Sequence, residues 1–134
     1  MIKPAHPLIL MFALMVAACT TTDAPNRSKY QMIDVATAKV LHDEGAAFID
    51  LRNKHWYNQG HIPGAINIPI AGFNDDRLAR HVAQDQAVVF YCYGISCEYS
   101  NKASNQALIW GYQNVSYFMK GYPGWLNADY PVER

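Results

Sequence analysis

The chain has 134 residues, the length of one domain and short for two. Apolar residues make up 51%, which excludes a disordered or low-complexity protein, and 11 basic residues balance 11 acidic ones, which excludes the broad basic surface that nucleic acid requires. Three cysteines, Cys19, Cys92 and Cys97, are too few for a disulfide scaffold.

The chain begins as an address. Lys3 gives a short basic start, and residues 8–18 (LILMFALMVAA) form an uncharged apolar run. That run is well short of the about 20 residues that cross a bilayer, and fits the apolar centre of a secretory signal. It ends in Val16-Ala17-Ala18-Cys19, which resembles the lipobox of bacterial lipoproteins. The resemblance implies a signal peptide over 1–18, cleavage before Cys19 and a lipid on Cys19. Thr20 stands where aspartate would resemble an inner-membrane retention signal. The expectation is therefore a protein anchored by lipid in the outer membrane, facing the periplasm. An ordinary cleaved signal, with Cys19 a spare thiol, is the alternative. Residues 19–28, polar with one proline, read as the lipidated cysteine and its flexible tether. The folded domain is expected over 29–134.

From there strands and helices alternate. Asp34 can cap a helix over 35–44, with Val35, Ala38 and Leu41 on one face and Gly45 just past its end. Residues 47–51 (AFIDL) read as a buried strand. The Pro63-Gly64 pair marks a turn, and residues 66–68 resume extended structure before Pro69. A helix is expected over 74–82, with Leu78 and Val82 inward. Residues 87–91 (AVVFY) carry the strongest strand signal of the chain. A helix over 100–110 follows, with Tyr99, Ala103, Ala107 and Trp110 on one stripe, then a strand over 115–119. Gly121-Tyr122-Pro123-Gly124 turns into a short helix around 125–128. Alternation at this spacing, with strands apolar throughout, predicts an α/β fold with a mostly parallel sheet of about five strands covered by helices on both faces. Ligands of such sheets bind at the carboxyl ends of the strands.

At the end of the strongest strand stands Cys92. The segment after it (Tyr93, Gly94, Ile95, Ser96, Cys97, Glu98 and Tyr99) is short, irregular and followed by a helix. A loop between a strand end and a helix start can turn backbone N–H groups inward, and the helix dipole adds partial positive charge there. A thiol so placed is activated, and an anion bonded to it is stabilised. Taken alone, Cys92 reads better as a small buried hydrophobe.

Three blocks in order carry a family resemblance. They are Asp50-Leu51-Arg52 followed by the run GHIPGAINIP from Gly60 to Pro69; Val88-Val89-Phe90-Tyr91-Cys92; and Gly111-Tyr112-Gln113-Asn114-Val115 with Gly121, Trp125 and Tyr130-Pro131-Val132-Glu133. Over about residues 29–134 the chain resembles the single-domain rhodanese family of sulfurtransferases. The resemblance implies a rhodanese-like fold and Cys92 as nucleophile. Cys92 would take the outer sulfur of a donor such as thiosulfate as a persulfide and pass it to a thiol, or to cyanide in an assay. No cofactor is implied beyond the lipid on Cys19 and the transient persulfide, and the partners are a small sulfur donor, a thiol acceptor and the membrane. A protein partner is not indicated.

The departures bear on the chemistry. The loop YGISCEY holds no arginine or lysine and instead carries Glu98, which weakens its attraction for a dianionic donor. The missing arginine also argues against the phosphatase and arsenate reductase activities found on this fold. The pattern C-x-G-x-x-C-x-x-S, which occurs in some exported members, fits Cys92, Gly94, Cys97 and Ser100. Arg52 is followed four positions later by Trp56 instead of an acidic residue. Two roles stand open for it: pointing into the pocket as replacement positive charge, or pairing with Asp50 or a carbonyl. Cys97 could resolve the persulfide or form a disulfide with Cys92. A locked disulfide would be structural and leave the domain catalytically silent. His61 reads as scaffold more than as a base, and the cysteines show no zinc spacing, so no metal is expected. Tyr93 and Tyr99 are positioned to wall the pocket. A non-catalytic module binding a partner or small ligand, and a redox protein cycling through Cys92 and Cys97, are the rival functions.

Overall fold

The computed structural model of the protein describes residues 29–134. Cys19, the leader over 1–18 and the tether lie outside the described residues. The elements run β1 (Gln31–Ile33), α1 (Val35–Asp43), β2 (Ala47–Asp50), α2 (Lys54–Gln59), β3 (Ile66–Asn67), a short 3-10 turn (Ile70–Gly72), α3 (Asp75–Ala79), β4 (Ala87–Tyr91), α4 (Tyr99–Ile109), β5 (Asn114–Phe118) and α5 (Gly121–Asn127). Five strands form one sheet in the order β1-β5-β4-β2-β3, and every pairing is parallel. The expected α/β fold is present, and the sheet is parallel throughout.

Strand periodicity divides the core into two layers. Val88 and Phe90 of β4 and Ile49 of β2 face one side, where they meet Leu78, Ala103, Ala107 and Tyr112. Val89 and Tyr91 of β4 and Phe48 of β2 face the other, against Ala38, Ile62 and Trp125. Trp125 is fully buried, and its indole N–H donates to the Pro131 carbonyl at 2.8 Å, which anchors the C-terminal segment. Helix α1 is capped as expected: the Asp34 carboxylate accepts from the Thr37 N–H at 2.8 Å, which holds the Asp34 carboxyl below its usual range. No helix among the described residues is long and apolar enough to cross a membrane.

Several boundaries differ from the sequence expectation. β1 lacks a strand signal because two of its three residues are exposed and only Ile33 is buried; its pairing with β5 defines it. α2 buries no residue and so shows no apolar stripe; Asn53 caps it, accepting from Trp56 N–H at 3.2 Å. α3 stops at Ala79, short of residue 82, although Leu78 and Val82 do point inward, the latter through a turn. α4 buries Ser100, Ala103, Ser104 and Ala107, whereas Tyr99, expected on this stripe, is exposed. α5 begins at Gly121, with Pro123 in its first turn, where the missing N–H costs nothing.

Candidate functional site

Because all five strands are parallel, their carboxyl ends lie on one side of the sheet. That side gathers Asp50 at the end of β2 with Arg52 just past it, Cys92 just past β4 and Lys120 two residues past β5. Side-chain alternation along β4 continues past its end, so Cys92 falls on the face of Val88 and Phe90, toward α4. Its side chain is 1% exposed. Ser100, buried in the first turn of α4, brings its hydroxyl to 3.5 Å from Cys92 Sγ.

Cys92 and Cys97 form a disulfide, with Cα atoms 6.5 Å apart. Cys97 is half-buried and borders a recess, whereas Cys92 is buried. The loop between them folds as a turn: the Cys97 N–H donates to the Gly94 carbonyl at 2.9 Å, and Gly94 has φ +127°, a conformation that favours glycine. In this oxidised form the sulfur of Cys92 therefore faces the Cys97 carbonyl oxygen at 3.6 Å and the Ser100 hydroxyl, while the Cys97 amide is spent within the turn. No side chain caps α4, so the dipole of its N-terminus is directed at the loop.

The loop is braced from below. Gly121, at φ +53°, lies so close to the Cys92 carbonyl that a Cβ there would collide with it. The Tyr122 N–H donates to that same carbonyl at 3.0 Å. Gly121 thus sets the path of the backbone at the cysteine. The signal was present in the sequence as Gly121-Tyr122-Pro123-Gly124, but its role depends on a contact only the fold creates.

Arg52 does not serve as free positive charge. It is 3% exposed, and its guanidinium donates to Asp50 at 2.6 Å through Nη2 and at 3.0 Å through Nε, with a further bond from Nη2 to the Gly60 carbonyl at 2.8 Å. It also lies over the Tyr122 ring at 4.3 Å. Burial works against its charge, but the hydrogen bond and charge of Asp50 prevail and hold its pKa above the ordinary arginine value. The hydrogen bonds show the pairing role, since a fully buried carboxylate two residues away binds the guanidinium first; Arg52 also borders a recess of about 470 Å³ with Trp56, Gly60, Tyr93 and Tyr122, so its charge meets that recess as half of an ion pair. The Asn67 amide N–H₂ donates to the Asp50 and Arg52 carbonyls, fixing the end of β2. His61 is likewise scaffold: its ring stacks on Tyr57 at 3.8 Å, and Nδ1 lies 2.9 Å from the Tyr57 carbonyl oxygen.

Basic groups do reach the loop, from elements the loop sequence does not include. Lys102 of α4 lies 3.5 Å from Glu98, both well exposed. It helps line a recess of about 400 Å³ with Tyr93, Ser96, Cys97, Glu98 and Tyr99. Lys120 faces a second recess, of about 460 Å³, bordered by Gly94, Ile95, Ser96 and Pro123. The sequence signal for Lys102 was its position four residues after Glu98; Lys120 had none, since only the pairing of β5 with β4 brings it to the loop. Tyr93 and Tyr99 stand edge to face at 6.5 Å, and Trp56 meets Tyr93 in the same way at 6.5 Å. Tyr93 and Tyr99 both border the recess beside Cys97, as expected of the pocket walls, and Ile95 is exposed. Among the described residues, no three His, Cys, Asp or Glu side chains group to hold a metal ion.

Residues 30–128 match the rhodanese-like domain family. The chain belongs to that family. The rhodanese-like domain here is similar to the uncharacterized protein YibN of Escherichia coli (strain K12), with 30% identity over 135 residues, covering 96% of this chain and 92% of that protein. Among solved structures it is similar to BH2092 from Bacillus halodurans, with a TM-score of 0.69 and 26% identity, covering 78% of this chain and 76% of that one. The thiosulfate sulfurtransferase of Pseudomonas aeruginosa shares the fold at a TM-score of 0.67 and 23% identity, over 78% of this chain and 20% of that one.

Proposed function

We propose that this rhodanese-like domain is a sulfurtransferase whose nucleophile is Cys92, acting in the reduced form. The observation that carries the reading is the position of Cys92: it ends the central strand β4, is braced by Gly121, and lies beside the Ser100 hydroxyl and the uncapped start of α4. The helix dipole and the hydroxyl favour an anionic sulfur, which both the thiolate and its persulfide present. In the first half-reaction the thiolate attacks the outer sulfur of thiosulfate, and sulfite leaves with the bonding pair. In the second, an acceptor thiolate takes that sulfur and regenerates Cys92. No cofactor is required. The recess beside Cys97, with Lys102 at its border, supports a small anionic donor, and Glu98 opposes it.

The leader sequence supports export, lipid attachment at Cys19 and a site facing the periplasm from the outer membrane. The Cys92–Cys97 disulfide favours a second reading, a thiol redox protein cycling between dithiol and disulfide.

The test is thiocyanate formation from thiosulfate and cyanide by reduced Cys97→Ser protein, in which no Cys92–Cys97 disulfide can form. Turnover that disappears when Cys92→Ser is added is the expected result. Equal rates in Cys97→Ser and in the double variant would overturn the reading.

A further inference from the structure

We infer that Cys97 makes this domain a sulfide-releasing enzyme, one that reduces the sulfane sulfur it accepts instead of only passing it on. The inference rests on the sulfurtransferase reading above and extends it. What carries it is the difference between the two joined sulfurs. Cys92 is 1% exposed beneath the loop, while Cys97 is half-buried and borders the recess of about 400 Å³ with Tyr93, Ser96, Glu98, Tyr99 and Lys102.

The reach of Cys97 is to Cys92 Sγ itself, since the two are directly bonded. Once Cys92 carries a persulfide, that same Sγ is its inner sulfur. The Cys97 thiolate, its proton given to solvent, attacks the inner sulfur. The Cys92–Cys97 bond forms, the bond to the outer sulfur breaks, and the outer sulfur leaves with the electron pair as hydrosulfide. Two thiol sulfurs are oxidised to a disulfide, and one sulfane sulfur is reduced to sulfide.

The reductant that restores the enzyme is a thiol, entering from the recess. It meets Cys97, the half-buried residue that borders the recess, before the buried Cys92, so the mixed disulfide forms on Cys97 and Cys92 departs as the thiolate. The Ser100 hydroxyl, 3.5 Å away, stabilises that leaving group. A second thiol then releases Cys97 and carries the disulfide away. The order returns the buried Cys92 first, as the species that attacks the donor. Over the cycle one thiosulfate and two thiols give sulfite, hydrosulfide and one external disulfide.

The experiment is a single turnover of anaerobically reduced full-length protein with thiosulfate and no added thiol, reading sulfite, sulfide and intact mass together. The wild type is expected to release sulfite and sulfide in equal amounts and to lose two hydrogens. Cys97→Ser is expected to release sulfite without sulfide and to gain one sulfur atom. Cys97→Ala repeats this readout where no side-chain hydroxyl replaces the thiol. Wild type that releases sulfite yet retains the sulfur without sulfide would overturn the inference and leave the sulfurtransferase reading standing. Sulfide from Cys97→Ser equal to that from the wild type would likewise overturn it. Absence of sulfite from both proteins would overturn the sulfurtransferase reading, and the inference with it.

Discussion

Two buried polar features lie at the carboxyl ends of adjacent strands, and they are opposites. At the end of β2, Asp50 and Arg52 are closed on each other, on the Gly60 carbonyl and beneath the Tyr122 ring. At the end of β4, Cys92 lies under a loop whose side chains are mostly exposed, joined to Cys97, which is half-buried and borders a recess. The first is an ion pair whose carboxylate is wholly buried and held by the guanidinium, with only the Arg52 side of it bordering a recess beside Trp56, Tyr93 and Tyr122. The second is a bond that an incoming thiol can exchange. Burial alone does not mark a reactive group; what distinguishes the two sites is whether the covering layer can be opened from outside.

The widest way to break the comparison is to remove Arg52. Arg52→Ala leaves the Asp50 carboxylate buried and unpaired, and the expected loss is about 3–5 kcal/mol of stability, read as a lower urea midpoint. A change under 1 kcal/mol would mean that the pair is not closed, and the first half of the comparison would fall.

Tyr91 sharpens the same half. Its hydroxyl accepts from the buried Ile62 N–H at 3.2 Å, so Tyr91→Phe is expected to cost about 1–3 kcal/mol at neutral pH. Burial, with the Asp50 charge beside it, raises the Tyr91 pKa well above its ordinary value of 10.0. The neutral phenol therefore contributes stability that is complete below about pH 10 and is lost as pH rises toward the folded-state value. Urea midpoints measured across that alkaline range should fall less steeply in Tyr91→Phe than in the wild type. A residual slope is expected, because burial also raises the pKa values of Tyr57, Tyr112 and Tyr117. An unchanged slope would contradict the assignment to Tyr91.

The smallest effect concerns the open site. Glu98 and Lys102 are both well exposed, so their ion pair adds little to stability. Glu98→Gln is expected to leave the urea midpoint nearly unchanged and to raise kcat/KM for thiosulfate by at most about fivefold at low salt, since one exposed charge is worth about 1 kcal/mol in water. The gain should vanish as salt is added. A gain that persists in high salt would show that Glu98 acts by contact instead of by charge.

What the sequence made legible follows from the same physics. The uninterrupted apolar run at residues 87–91 announced the central strand, and its alternation carries Cys92 to the face of α4. β1 and α2 were not legible, because one is held by backbone pairing and the other buries no residue. At the site, the cysteine and its loop could be read, and so could the choice facing Arg52, though not its outcome. That outcome depended on Asp50 being wholly buried. Gly121 and Lys120 were invisible as neighbours of Cys92, since β5 brings them there from almost thirty residues away. Local pattern showed the elements; only the parallel sheet shows which of their ends meet.

The central claim is that Cys92 accepts a sulfur atom. Its most direct test is the intact mass, with peptide mapping, of reduced Cys97→Ser protein after exposure to thiosulfate. The account predicts a gain of one sulfur atom, located on the peptide that contains Cys92 and removed by a reducing thiol. An unchanged mass, or a sulfur found on any other residue, would contradict it.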